Sequence, residues 1–358
     1  LNDRQIIELA ERGMITPFCR ESVTRFEPCY SDDTECLTYD GWKLIKDVQI
    51  GEKIATLSPD GTLEYKPVER KQAYFYEGDM IHFKGKSIDL LVTPDHMVYA
   101  KNRYQDSFVR IKAEDIYKRH NWEMKRNAIW QGEEPEPTIQ VAGECVPIKD
   151  WLTFLGYYLG DGYASYTEEK RNYLVQLCCF KERKVSKYGE LVNRLPFNFF
   201  RSDKGFSVLN KRLYEELKPF GGHSDKFIPR WILNLSRPYL EILLDALIES
   251  DGNRETMTFT TTSRQLADDV QELALKVGKA AIVRELSPEK QNGQAHPTAI
   301  QAKNPCFKVR IVDKHLTPKV RPETHHKVFY RGMVYDVTIP NHVLYVRRNG
   351  KPVWSGNC

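Results

Sequence analysis

The chain has 358 residues, 41% hydrophobic and 28% charged, with a formal net charge of +4. That length exceeds one ordinary core and predicts two or three soluble domains. No apolar run approaches the roughly 18 residues of a membrane helix, the opening Leu1-Asn2-Asp3-Arg4-Gln5 lacks the features of a signal peptide, and Leu1 in place of Met predicts a missing or trimmed start. The overall charge is too mild to establish a nucleic-acid partner. From Tyr163 to Lys226, however, 13 Lys/Arg stand against 8 Asp/Glu, which favours a polyanion on one face. None of the eight cysteines (Cys19, Cys29, Cys36, Cys145, Cys178, Cys179, Cys306, Cys358) forms a C-x-x-C pair. Zinc is therefore disfavoured, and free thiols in a cytoplasmic protein are expected. Most should be buried small hydrophobes, with Cys29 and Cys358 the exceptions.

Residues 1–28 read as a separate opening. Asn2 can cap a helix to about Arg12, with Ile6, Ile7 and Leu9 on its apolar side and Gly13 ending it. The stretch Gly13-Met14-Ile15-Thr16-Pro17-Phe18 is similar to the start of a dCTP deaminase. This implies only that a deaminase is the protein that flanks the rest, since none of its catalytic residues is present.

From Cys29 to about Tyr104 the pattern is β. Strand-like runs at Trp42–Ile45, Lys53–Leu57, Asp79–Phe83 and Leu90–Val92 accompany Asp-Gly turns at Asp40-Gly41 and Asp60-Gly61. The tail repeats it at Lys327–Phe329, Met333–Thr338 and Val343–Arg347, with a turn at Asn349-Gly350. Two such segments can make one domain if a second domain is inserted between them. The acidic, Pro-rich Gln131–Pro137 reads as the entry linker, Ser287–Asn304 as a loop and Leu316–Thr324 as the return linker. Within the insert a helix is expected over Arg264–Val277, capped by Ser263 and stopped by Gly278.

The insert contains a repeat. Phe154-Leu155-Gly156-Tyr157-Tyr158-Leu159-Gly160-Asp161-Gly162 returns 90 residues later as Leu244-Asp245-Ala246-Leu247-Ile248-Glu249-Ser250-Asp251-Gly252. Gly156 with Gly160, and Ala246 with Ser250, put small residues on one face, so two helix backbones can approach closely. Gly162 and Gly252 suit turns after helix ends. Asp161 and Asp251 sit where the helix dipole disfavours an acid. Brought together they repel, and a shared divalent cation would neutralise them. Two carboxylates could hold Mg²⁺ against phosphate oxygens and activate water.

This repeat resembles the paired motif of LAGLIDADG homing endonucleases, which carries the catalytic, metal-binding acids onto Asp161 and Asp251. Lys226, in Lys226-Phe227-Ile228-Pro229, matches the family's Lys-x-Ile-Pro element, and the resemblance implies that it stabilises charge or positions water. The bland alternative is a surface lysine. No lysine of the second half can be matched. The resemblance implies twisted sheets in the DNA major groove, with Tyr173–Phe180, Met257–Thr262, Ala280–Leu286 and Cys306–Val312 as candidate strands. Two unlike copies in one chain imply a monomer and a long, asymmetric double-stranded DNA site.

The ends of the remaining chain carry a second pattern. Cys29 stands 12 residues before Gly41-Trp42, Thr93-Pro94-Asp95-His96 gives Thr-x-x-His, Val334-Tyr335-Asp336-Val337-Thr338 is followed by His342, and the chain closes on Ser355-Gly356-Asn357-Cys358. Together these resemble an intein, with the horseshoe β fold shared with hedgehog autoprocessing domains. Cys36 is too close to the turn and reads as a strand residue. The resemblance implies that Cys29 attacks the Pro28 carbonyl to give a thioester, with His96 protonating the departing nitrogen and Thr93 orienting it. Cys358 then takes the acyl group, with Asp336 positioning its thiol. Asn357 cyclises, and the flanks join without any cofactor.

Two departures stand out: Gly356 occupies the place where most inteins have His, and Pro28 restricts the backbone before the first scissile bond. Asn357 must then rely on His342, on His325 or His326, or on water. The expected architecture is a multidomain chain: an all-β hedgehog/intein splicing domain (29–138 and 316–357) interrupted by an α+β LAGLIDADG endonuclease with two pseudo-symmetric halves (139–315), between a flank at 1–28 and Cys358. Competing readings are an endonuclease in a splicing-impaired shell, a maturase-like nucleic-acid-binding module with dead chemistry, and a fragment of the flanking deaminase. A hedgehog-type domain is disfavoured because it has no use for Asn-Cys.

Overall fold

The computed structural model describes residues 28–169, 171–292 and 301–357. The expected helix from Asn2, the Gly13–Phe18 stretch and Cys358 lie outside them. The chain forms two units, one on each side of breaks at Ile129/Trp130 and Val312/Asp313.

The first unit is built from strands of both chain ends. Arg70–Lys84 and His325–Thr338 run antiparallel over 14 residue pairs, from Phe83 opposite His325 to Arg70 opposite Thr338. Tyr30–Ser31 and Asp89–Val92 close this pair into a barrel, Tyr30 facing both Tyr335 and Val92. In the adjoining sheet Glu35–Thr38 lies between Val343–Arg348 and Lys53–Leu57, and Lys351–Gly356 forms the edge. The β pattern works here because alternate residues face inward: Ile81, Phe83, Leu90, Val92, Val337, Leu344 and Val346 share one core, each worth about 1.5–3 kcal/mol when fully buried.

Two expectations are corrected in this unit. Asp79–Phe83 is only part of a 15-residue strand, because pairing along the whole length of His325–Thr338 extends it. The return linker is not a free connection either. Lys319–Val320 pairs with Trp122–Glu123, and Leu316 and Pro318 carbonyls accept from Arg126 and Met124 amides.

The second unit contains two similar halves. Helix α1 (Ile148–Asp161) leads into a sheet of Gly162–Thr167, Asn172–Cys178, Gly205–Leu209 and Phe200–Ser202, with helix α2 (Glu182–Val192) between strands. Helix α3 (Arg237–Asp251) leads into Gly252–Asn253, Thr258–Thr261, Cys306–Val312 and Ala280–Leu286, with helix α4 (Arg264–Lys276) between strands. Ser263 caps α4 through a bond from the Leu266 amide at 3.1 Å, and Gly278 takes the left-handed backbone beyond its end. The small residues bring α1 and α3 into backbone contact. A β-carbon at Gly156 would lie 2.4 Å from Ala246 Cβ, and one at Gly160 would lie 2.2 Å from Ser250 Oγ.

Gly162 and Gly252 do not make left-handed turns: both are extended (φ −94° and −111°), so each helix passes straight into a strand. Glycine is needed there for space, since a β-carbon would stand 2.6 Å from the α-carbons of Tyr158 and Ile248. Candidate strands end within a few residues of the expected limits, Tyr173–Phe180 becoming Asn172–Cys178 and Met257–Thr262 becoming Thr258–Thr261. A short helix, Pro288–Asn292, starts the expected Ser287–Asn304 loop. Gln131–Pro137 belongs to this unit rather than linking to it. Trp130 Nε1 donates to the Leu235 carbonyl at 2.9 Å, and Glu133 bridges to Leu235.

Candidate functional sites

The two acidic helix ends of the second unit lie close enough for their charges to interact. Asp161 accepts a bond from Lys184 Nζ at 2.7 Å and another from the Tyr188 hydroxyl, both on Oδ2. Asp251 is exposed. Its carboxyl is pushed up, first by the protein packed around it and then by the Asp161 charge, while Lys184, Lys226 and His223 pull the other way. That mutual repulsion suits a hard divalent cation between two oxygen donors. Among the described residues no cluster of three or more His, Cys, Asp or Glu gathers, so such a cation would rest on these two carboxylates, water and substrate.

Lys226 is no surface lysine: only 4% of it is exposed. Its Nζ donates to the carbonyls of Tyr158 (2.8 Å), Gly162 (2.7 Å) and Gly160 (3.4 Å), neutralising the C-terminal end of α1. Burial lowers it to about 8, against the pull of Asp251 and Asp161. Its segment is pinned to α4. Ser263 Oγ donates to the Lys226 carbonyl at 2.6 Å, the Ile228 amide donates to Asp269 at 2.8 Å, and Arg230 makes a forked pair with Glu272 at 2.6 and 2.9 Å.

The second site joins the chain ends within the first unit. Thr93 brackets Cys29: its Oγ1 accepts from the Cys29 amide at 2.9 Å and its amide donates to the Cys29 carbonyl at 3.0 Å. Cys29, expected as an exception among buried thiols, is itself buried beside Tyr76, Met80, Leu91 and Val334, whereas Cys145 is exposed. His96 is fully buried, with Nε2 3.3 Å from Ser355 Oγ and Nδ1 without a partner among the described residues. Burial lowers it to about 3, against a hydrogen bond with the Gly356 backbone, and so holds it neutral. Asn357 Nδ2 donates to the Val337 carbonyl at 2.7 Å, its Oδ1 lies 3.2 Å from His342 Nδ1, and its amide donates to the His342 carbonyl at 3.2 Å. Asp336, next to Val337, is buried and accepts from the Val337 amide at 2.8 Å. Cys29, Thr93, His96, Asp336, His342 and Asn357 therefore share this region. His325 instead accepts from the Lys118 amide at 3.0 Å. Cys36 is a buried strand residue whose thiol is pushed far up, by burial first and then by Glu52 and Glu35.

Lys184, Tyr188 and Tyr30 escaped the sequence reading. Lys184 and Tyr188 stand four apart on α2, inside the basic 163–226 stretch, and that spacing is the signal that marks one helix face. Tyr30 has no signal beyond its place beside Cys29.

Residues 243–315 match the family model of the LAGLIDADG-like domain. The chain is also 26% identical to an ATP-dependent Clp protease proteolytic subunit of Chlamydomonas moewusii, over 96% of this chain and 46% of that protein. It is 26% identical to a DNA-directed RNA polymerase subunit beta C-terminal section of Stigeoclonium helveticum, over 92% and 36%. A ribonucleoside-diphosphate reductase subunit beta of Aquifex aeolicus is 22% identical over 94% and 51%. The chain thus spans about half or less of these curated relatives. Among solved structures it is similar to a class 3 split intein (8% identity, TM-score 0.33, 92% of this chain and 98% of that one). It is also similar to the homing endonuclease I-DmoI in complex with its target DNA in the presence of Mg (13%, TM-score 0.33, 46% and 89%).

Proposed function

We propose that this chain is an intein interrupted by a LAGLIDADG homing endonuclease, and that residues 29–357 excise themselves and join the flanks. The observation that carries the splicing half is the meeting of Cys29, Thr93 and His96 with Ser355, Gly356 and Asn357 in one buried region. The sequence relatives support it. A protease subunit, a polymerase subunit and a reductase subunit share no reaction, yet each aligns with more than nine-tenths of this chain. A segment common to them is independent of what each carrier does.

In this reading the Cys29 sulfur attacks the Pro28 carbonyl carbon, and the bond to the Cys29 nitrogen breaks. Thr93 holds that nitrogen in place, and neutral His96 relays to it the proton given up by the Cys29 thiol. The Cys358 thiol takes the acyl group, with Asp336 as its positioning neighbour. Asn357 Nδ2 then attacks the Asn357 carbonyl carbon and expels the Cys358 nitrogen. The Val337 carbonyl and His342 orient the two ends of the Asn357 side chain. A final acyl shift from sulfur to nitrogen joins Pro28 to Cys358. Every step is intramolecular, so proximity supplies the rate and no cofactor is required.

The splicing-impaired reading rested on Gly356. The position has no room for a side chain: a β-carbon would lie 2.4 Å from the Met97 carbonyl oxygen. Gly356 is thus part of how this centre packs, which favours a working site. Thiol reductant at neutral pH should release residues 1–28 from the chain and not from the Cys29→Ala variant. A chain that keeps its full mass in reductant would overturn the splicing half.

For the endonuclease half, Asp161 and Asp251 would hold Mg²⁺, which supplies a polarised phosphate and an activated water when bound. Lys226 keeps the end of α1 in place and adds positive charge nearby. The substrate is double-stranded DNA with a long asymmetric site, and the enzyme acts as a monomer. A deaminase flank remains the proposal for the carrier. Mg²⁺-dependent nicking lost in both Asp161→Asn and Asp251→Asn is the test; nicking that survives both would refute the assignment.

A further inference from the structure

Tyr30 directly follows Cys29 and is completely buried. Its ring stands edge-on to His96, with centroids 4.2 Å apart. Its hydroxyl donates to the Gly356 carbonyl oxygen, 326 residues along the chain. Its backbone faces Tyr335, the neighbour of Asp336, and Val92, the neighbour of Thr93. One side chain therefore touches His96 and the Gly356–Asn357 peptide. Position 356 cannot supply a side-chain donor, because the Met97 carbonyl fills the space.

We propose that Tyr30 is a positioning residue for the cyclisation of Asn357; this rests on the splicing reading above. By donating to the Gly356 carbonyl, the phenol fixes the plane of the Gly356–Asn357 peptide. With the Asn357 side chain held by Val337 and His342, fixing the backbone at its other end sets the approach of Nδ2 to the Asn357 carbonyl carbon. The bond that forms is Nδ2–C, the bond that breaks joins Asn357 to Cys358, and the proton leaving Nδ2 ends on the Cys358 nitrogen. Tyr30 keeps its own proton throughout.

Tyr30→Phe retains the ring and its contact with His96 and removes only the hydroxyl. On the full chain, intact mass reads two rates: release of residues 1–28 in reductant, and loss of Cys358. The variant should slow the second about fivefold to tenfold, the scale of one hydrogen bond, and leave the first within about twofold, the range in which small packing changes fall. A ¹³C-labelled Gly356 carbonyl should move to higher infrared frequency in the variant, which reads the bond without any chemistry. Equal slowing of both rates, an unchanged second rate, or an unmoved carbonyl band would overturn the proposal. A wild-type chain that releases neither end would remove the splicing reading, and this inference with it.

Discussion

Gly356 lies against the Met97 carbonyl so closely that a β-carbon would stand 2.4 Å from the oxygen. That contact belongs to backbone, which cannot swing aside as a flexible side chain can. Gly356→His therefore should not repair the centre, although histidine is the residue that most inteins have there. Both Gly356→Ala and Gly356→His should slow the loss of Cys358 and lower the melting temperature. A faster release of Cys358 in the histidine variant would contradict this.

The α1–α3 contact makes an equally sharp demand. A β-carbon at Gly160 would stand 2.2 Å from Ser250 Oγ and 2.6 Å from Ser250 Cβ. Gly160→Ala should cost about 1–3 kcal/mol from overpacking, read by denaturant unfolding. Adding Ser250→Gly should return part of that loss, because it clears the two atoms in the way.

Asp161 and Asp251 are unequal, since Lys184 and Tyr188 hold the first and nothing comparable holds the second among the described residues. A divalent cation at Asp161 must compete with the Lys184 ammonium. The two DNA strands should therefore be cut at different rates, so that nicked circles accumulate before linear product. Lys184→Met should tighten Mn²⁺ binding in a titration and reduce the nicked intermediate. Equal strand rates in the unmodified enzyme would count against this asymmetry.

Two buried histidines should make the β unit acid-sensitive. Burial lowers His96 to about 3, and burial with Lys118 and His326 lowers His325 to about 4. Both lie below the ordinary value of 6.5, so the unfolded chain binds these protons first. Stability is then intact above about pH 6.5 and falls as pH drops towards 4, by up to about 1.4 kcal/mol per pH unit for each group. Urea midpoints between pH 7 and 4 should show that slope, and His325→Phe should flatten it.

The local parts of this account were legible in the sequence. The repeat announced Asp161 and Asp251 because helix spacing and a terminal acid are read within nine residues. Cys29, Thr93-Pro94-Asp95-His96 and Asn357 stood out by residue type and order. What was hidden depends on pairing between distant segments. Lys319–Val320 looks like linker until Trp122–Glu123 is beside it. Lys226 stood out by its Lys-x-Ile-Pro match, but its burial against three carbonyls depends on the end of α1. Tyr30 is an ordinary strand tyrosine until Gly356 arrives, and the glycines after both helices are set by close approach rather than by turn geometry.

The most direct test of the central claim follows the joined product. With marker segments fused before Leu1 and after Cys358, the mixture is digested and its peptides are weighed. The account predicts a peptide in which Pro28 is bonded to Cys358, together with a free 29–357 segment ending in a cyclised Asn357. An uncut chain, or two cut flanks that never appear as one joined peptide, would contradict it.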